Sequence, residues 1–286
     1  MKPSPKVCQQ LNRIGELDDN ELGLTETALI LARSERPGTD TNVYERHLEK
    51  LINDVAAYAG SDANNEKIGL QIRIEALQQV IAKRFGYGGS EDAYENFECV
   101  NLMRVIDRRD GLPTQLGIIY IHVARALGWT IVGLDFPPRF LVRLEYYGQR
   151  KILDPFDGGR ILEPFNLRKL FKDVSGPHTE ITPEHLKTMT NRDIILRSQR
   201  NAKALHLRSD DLEQALDVVE TLLLVAPKNP ALWREAGILN ARMDRPKEAI
   251  IALENFLKKA NDQTPRYRAS VLLQELRGRL NQIKPI

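Results

Sequence analysis

The chain has 286 residues, 42% of them apolar and 28% charged, with 18 Gly and 15 Pro. That length exceeds the roughly 100–150 residues of a typical domain, so two compact units are expected, and the composition excludes a collagenous or wholly disordered polypeptide. Residues 1–190 hold 24 basic and 27 acidic side chains, leaving −3, and the remainder holds 17 and 12, leaving +5; neither half has the dense basic stripe of a nucleic-acid footprint.

Residues 1–20 are polar and Pro-containing and are expected to form a loose tail. From Glu21 to Ser34, Leu22, Leu29 and Ala32 suggest a helix stopped by Pro37-Gly38. Leu48, Leu51, Ile52, Val55 and Tyr58 give a second, ended by Gly60, and Ile74, Leu77, Val80 and Ile81 mark the inward stripe of a third from about Glu66 to Phe85. Gly86-Tyr87-Gly88-Gly89-Ser90 breaks the chain before a fourth helix expected over Glu91–Arg108. Asp110-Gly111-Leu112-Pro113 turns into a fifth, apolar helix, with Pro113 at its first position and Gly128 as its stop.

There the period changes from helical to alternating. Trp129–Phe136, Arg139–Tyr146 and Arg150–Leu153 predict three antiparallel strands, with Tyr147-Gly148-Gln149 as a turn and Asp157-Gly158-Gly159 closing the set. The fold class is therefore helix-rich α+β with a small antiparallel sheet. Residues 166–190 are expected to be a Pro-punctuated connection with one short helix near Asn166–Lys172, and residues 191–286 to be all α.

Cys8 and Cys99 cannot make a disulfide framework or a Cys-rich zinc site, and His47, His122, His178, His185 and His206 show no ligand spacing; no metal or cofactor is expected. Met1-Lys2-Pro3-Ser4-Pro5-Lys6 leads into no apolar core, and the apolar stretch Gly117–Leu134 is broken by His122 and Arg125. Neither a signal peptide nor a membrane span is expected, so the chain reads as soluble and cytoplasmic, and because no long exposed apolar stripe is evident it is expected to be a monomer.

A repeat of 34 residues relates Asp210, Ala215, Leu216, Glu220, Leu222 and Leu223 to Asp244, Ala249, Ile250, Glu254, Phe256 and Leu257. With Pro227, Asn229-Pro230, Trp233, Gly237 and Ala241 between them, the segment resembles tetratricopeptide repeats over about two units, 207–262. The resemblance implies a protein or peptide partner. Two units are few for a groove, which leaves a packing role open.

Arg108-Arg109-Asp110-Gly111-Leu112-Pro113-Thr114-Gln115-Leu116, Phe136-Pro137-Pro138-Arg139-Phe140 and Asp154-Pro155-Phe156-Asp157-Gly158-Gly159 occur in order ahead of that repeat. Together with Phe85-Gly86-Tyr87-Gly88-Gly89 and Asn101 they resemble the bacterial SirB-type family, a transglutaminase-like domain followed by tetratricopeptide repeats. The resemblance implies a transglutaminase-like domain over 21–165. Such folds place a Cys nucleophile at a helix N-terminus, a His base on a neighbouring strand and an Asp or Asn that orients it.

On that resemblance Pro113 stands at the nucleophile position, Arg139 at the base position and Asp154 at the orienting position. A proline has no nucleophilic atom, and an arginine stays protonated at neutral pH. The expected product is a vestigial site without catalysis, in which Arg139 pairs with Asp154, and the expected function is protein binding through the repeats. Two alternatives stand beside it. One is a divergent amidase, peptidase or acyl transferase using Thr114, Cys99 or another residue; the other is a small-anion sensor built on Arg139 and Gln115 at the start of the fifth helix. Cys99 reads as an inert buried thiol and His122 as a hydrogen-bonded core residue.

Overall fold

A computed structural model describes residues 2–60 and 68–283. The chain folds as two compact units, Asp19–Ser198 and Met1–Asp18 with Gln199–Ile286.

The expected loose tail is instead helix α1 (Pro5–Glu16), capped by Ser4 and burying Val7 and Leu11. It belongs with the C-terminal helices. A Cβ on Gly15 would lie 2.1 Å from the carbonyl oxygen of Leu224, so only glycine allows this crossing. Polarity of the first residues hid a narrow two-residue apolar stripe.

Helices α2 (Leu24–Ser34) and α3 (Asn42–Ala59) follow, and α3 ends at Gly60 with φ +113°. The third expected helix is α4 (Leu70–Leu77) running into a π-helical stretch, Gln78–Arg84; its predicted start at Glu66 lies outside the described residues. The fourth expected helix, Glu91–Arg108, does not form as one element. Short 3-10 turns occupy Glu91–Glu95 and Phe97–Cys99, and α5 is only Leu102–Arg108. Side chains compete with the helical ladder here: Asn96 accepts from the Glu98 N–H, and Asn101 from those of Met103 and Arg104.

Helix α6 (Pro113–Ala126) begins at Pro113 as expected and is buried along nearly its whole length. Strands β1 (Thr130–Leu134), β2 (Leu141–Tyr146), β3 (Gln149–Asp154) and the two-residue β4 (Arg160–Ile161) form one antiparallel sheet in sequence order; β4 was not among the expected strands. Register aligns Gly133 with Val142 and Val142 with Leu153. The Phe140 ring fixes how α6 meets the sheet. It fills the volume that Cβ atoms on Gly117 of α6 and Gly133 of β1 would occupy, at 2.3 and 2.5 Å.

The segment expected as a connection is built into this unit. Helix α7 (Pro164–Ser175) buries Leu167 and Phe171 in a cluster with Leu134, Phe136, Leu141 and Leu162. Asp135 and Met189 N–H groups bond to the carbonyls of Lys187 and Gly133. The apolar positions on one face of α7, rather than its Pro punctuation, decide the outcome.

Helix α8 (Asn191–Arg208) contains the boundary between the units. Helices α9 (Leu212–Val225), α10 (Pro230–Arg242), α11 (Pro246–Lys259) and α12 (Gln263–Ile283) follow in succession through the repeats. The 34-residue repeat extends to the backbone: Asp210 and Asp244 both have positive φ, 54° and 56°. Gly237 lets α10 approach α11, where an added Cβ would meet Leu253 at 2.7 Å. No described helix is long and apolar enough to cross a membrane.

Candidate functional site

The residues singled out by motif lie in the Asp19–Ser198 unit, around α6 and the β2–β3 hairpin. Pro113 is buried at the first position of α6 and supplies no N–H. Thr114 and Gln115 after it are buried too, at 2% and 1% exposure.

Asp154, the last residue of β3, is fully buried. Its Oδ2 accepts from Arg139 Nη1 at 3.0 Å, and its Oδ1 accepts from the Phe156 N–H at 3.1 Å, capping the turn Pro155–Asp157. Burial pushes this carboxyl above its ordinary value, and the Arg139 charge and hydrogen bond pull it part of the way back. Arg139 and Asp154 therefore do meet, as an ion pair joining the approach to β2 with the end of β3.

The guanidinium of Arg139 lies over the Phe156 ring, 4.9 Å from its centroid, and Tyr94 packs against the same ring at 5.8 Å. Burial raises the Tyr94 phenol, with Arg139 opposing and Asp154 adding to the shift, so the hydroxyl sits in the field of the pair. Tyr120 of α6 projects a buried hydroxyl beside Gly159 that has no hydrogen-bond partner among the described residues, and it is raised by burial and by Asp154. The π-helical stretch holds the same loop: Gln78 Nε2 donates to the Gly159 carbonyl at 2.7 Å. Sequence reasoning missed Tyr94, Tyr120 and Gln78, which carried no signal beyond ordinary helical positions.

Gln115 does not join Arg139. Its Nε2 donates to the carbonyls of Val100 and Ser198 at 2.7 and 3.2 Å, which fixes the amide orientation and leaves the acceptor Oε1 without a partner among the described residues. A side chain whose amide hydrogens are spent on carbonyls has no donor for an anion.

Cys99 ends a 3-10 turn rather than lying within a helix. Its fully buried thiol faces Asp110 Oδ2 at 3.6 Å, and the Asp110 carboxylate also accepts from the Ser90 N–H and hydroxyl at 3.0 and 2.8 Å. Burial first, then the Asp110 charge, pushes the thiol up to about 12. His122 is half-buried and makes no side-chain hydrogen bond among the described residues, contrary to the hydrogen-bonded core role expected of it. Burial lowers its basicity.

A polar cluster between α3 and α5 joins two motif residues, Tyr87 and Arg109, to His47, which no motif singled out. His47 Nε2 is 2.9 Å from the Tyr87 hydroxyl and 3.0 Å from Arg109 Nη1, and Arg109 also donates to Tyr87 and to the Ile106 carbonyl. Arg109 holds a positive φ of 65° at the end of α5. Facing a guanidinium, His47 Nε2 acts as an acceptor.

The order of α6, β2 and β3 around Pro113, Arg139 and Asp154 is that of a transglutaminase-like unit, and the sequence comparisons agree. The model of the transglutaminase-like superfamily matches residues 42–200, and a tetratricopeptide-repeat model matches residues 202–274. A UPF0162 protein of Xylella fastidiosa is 30% identical over 251 residues, spanning 86% of this chain and 87% of its own length. The chain belongs to the SirB-type family. A UPF0162 protein of Vibrio cholerae is 28% identical over 84% of this chain and 87% of its own, and Protein SirB1 of Salmonella typhimurium is 24% identical over 87% and 90%. Family membership thus accounts for both the sheet-bearing unit and the repeats that follow it.

Proposed function

We propose that this SirB-type protein is a non-catalytic member of the transglutaminase-like superfamily that binds a protein or peptide through its tetratricopeptide repeats, in the cytoplasm and without a cofactor. One observation carries the reading: the ion pair between Arg139 and the fully buried Asp154, 3.0 Å long. A thiol-type mechanism needs a base that exchanges a proton with the nucleophile and a carboxylate that orients the base. Here the carboxylate is committed to a guanidinium and to the Phe156 N–H, and a guanidinium takes up no proton at neutral pH. Pro113 offers no atom to activate. The Cys99 thiol, held up to about 12, supplies almost no thiolate near neutrality. The repeats contribute the recognition surface, since tetratricopeptide units commonly present helical faces to protein partners.

The test pairs two assays on the full chain. Affinity purification is expected to recover a stoichiometric protein, lost when Ile251, 59% exposed on α11, is changed to Glu. Ammonia release from glutamine-containing peptides is expected to stay at buffer level. In a Cys8→Ser background, thiol-reactive labelling of Cys99 at neutral pH should run at least about a hundredfold slower than that of free cysteine. Turnover abolished by Thr114→Ala or Cys99→Ala, with no partner recovered, would replace this reading with a divergent amidase or acyl transferase.

A further inference from the structure

The 34-residue period extends to a charged position that packing does not explain. Arg200, Arg234 and Arg268 lie 34 residues apart, on α8, α10 and α12. Arg200 and Arg268 are exposed and Arg234 is half-buried. At Ala215 and Ala249 the period recurs because successive units bury the same fully covered position. An exposed arginine is under no such constraint.

The three helices are packed together. Lys203 of α8 pairs with Glu235 of α10, and Trp233 of α10 and Leu272 of α12 pack on one apolar cluster. Residues four apart share a helix face, so Ala204, Ile238 and Leu272 stand one turn beyond the arginines, again 34 residues apart. Ile238 is 41% exposed. A row of guanidinium groups thus runs beside a row of aliphatic side chains.

Elsewhere in the same unit, Arg245, Arg277 and Arg279 are neutralised by Glu213, Glu254 and Asp244. Among the described residues no Asp or Glu pairs with Arg200, Arg234 or Arg268. Glu235, next to Arg234, is taken by Lys203, and Glu275 lies seven residues, about 10 Å of helix, past Arg268. The row is therefore a positive strip in a segment, residues 191–286, that already holds 17 basic and 12 acidic side chains.

Resting on the reading that the repeats bind a protein, we propose that this face of α8, α10 and α12 is the docking surface, and that the docked segment is acidic, with aliphatic side chains among its carboxylates. Guanidinium groups hold carboxylates through paired N–H donors, and complementary charge selects the partner. The accompanying row is aliphatic and offers no ring on which nucleic-acid bases stack, which favours a protein segment. Ile251 lies on α11, outside the row, so the two surfaces are tested separately.

The test is fluorescence anisotropy on the full chain at about 0.15 M salt, where charges more than about 8 Å apart are screened. The probe is a labelled peptide of three Glu-Glu-Leu repeats, with a Gln-Gln-Leu counterpart and labelled oligouridylate as controls. The glutamate peptide is expected to bind saturably, about threefold or more weaker in each of Arg200→Gln, Arg234→Gln and Arg268→Gln and about thirtyfold or more weaker in the triple variant. Removing the same number of charges by Arg245→Gln, Arg277→Gln and Arg279→Gln together should change binding less than about threefold. No saturable binding, equal binding of the glutamine peptide, equal weakening in the second triple variant, or tighter binding of oligouridylate overturns the proposal. If the first triple variant does not fold, Arg200→Gln with Arg268→Gln decides, and weakening below about threefold overturns the proposal. A stoichiometric partner recovered equally by the unsubstituted chain and the first triple variant sinks this docking face and leaves protein binding intact. No partner recovered and no peptide bound sinks both.

Discussion

The two units bury different things. Among the described residues, Thr25, Thr27, Arg73, Asn101, Thr114, Gln115, Asp154 and Ser198 are polar and buried in Asp19–Ser198, whereas Asn240 is the one such residue in the repeat-bearing unit. Asn240 merely bonds back to the carbonyl four residues earlier on its own helix. The partners in the sheet-bearing unit are remote: Asn101 donates to the Ala32 carbonyl and to Glu35, and Gln115 to Ser198. The repeats are held by short-range apolar packing of adjacent helices, as their period requires. The sheet-bearing unit keeps an interior of specific polar contacts, dense around α6, where a transglutaminase-like enzyme would need preorganised groups. That contrast says where substitutions should be costly in different ways.

The largest expected effect falls on the Arg139–Asp154 pair. Arg139→Met leaves Asp154 buried without its countercharge and should cost about 3–5 kcal/mol near neutrality. The cost should depend on pH in a defined direction. Burial already raises Asp154 above its ordinary 3.8, so between the unfolded and folded values the native state binds more protons than the unfolded chain. Stability therefore falls as pH rises through that window. Removing Arg139 takes away the chief influence lowering Asp154, extends the window upward, and makes the deficit shrink on acidification. Urea unfolding followed by Trp129 in the Trp233→Phe background, at about pH 7 and about pH 5, checks this. A deficit that is small and flat with pH would mean that the pair is not what organises this interior.

A smaller loss is expected on the other side of the comparison. Gly15→Ala places a methyl 2.1 Å from the Leu224 carbonyl oxygen, a backbone atom that cannot swing away. Overpacking of this kind costs about 1–3 kcal/mol, taken as separation of α1 from α9. Hydrogen exchange should show faster exchange in Pro5–Glu16 with β2 and β3 unchanged. Equal acceleration in the strands would break the idea that α1 belongs energetically to the repeats.

Legibility in the sequence followed the same divide. The repeat was readable because each turn reuses one local pattern, and even the positive φ at Asp210 and Asp244 recurs at its period. Helix α6 and the hairpin were readable because Pro113, Gly128 and Tyr147-Gly148 punctuate a change from helical to alternating period. The helix expected over Glu91–Arg108 failed because Asn96 and Asn101 bond locally to the backbone, a competition invisible to apolar periodicity. The tail failed for the opposite reason: two buried residues and one glycine in tight contact suffice to dock α1. At the candidate site, the meeting of Arg139 with Asp154 was implied by the family resemblance, which puts the two at the base and orienting positions. The direction of Gln115 toward Val100 and Ser198 was not, since it depends on where two distant carbonyls end up. Tyr94 reaches the pair through the same broken helix and was hidden with it.

The smallest effect concerns a single proton. Burial, then the charges of Arg109 and Lys50, lowers His47 from 6.5 to about 4, with Asp107 opposing. The folded chain thus binds fewer protons here than the unfolded chain between those values, so stability should decline as pH falls from about 6.5 toward 4. The slope has the opposite sign to that contributed by Asp154, which separates the two in one titration. His47→Gln removes the titrating group while retaining an acceptor for Arg109. Its stability near neutrality should change by less than about 1 kcal/mol, because a neutral acceptor replaces a neutral acceptor. Its acid-side decline should be shallower than that of the unsubstituted chain when unfolding is followed by Trp129. If both decline alike, His47 is free to protonate in the folded state. The Arg109–Tyr87 contact would then be a surface arrangement and not part of the polar interior that distinguishes this unit from the repeats.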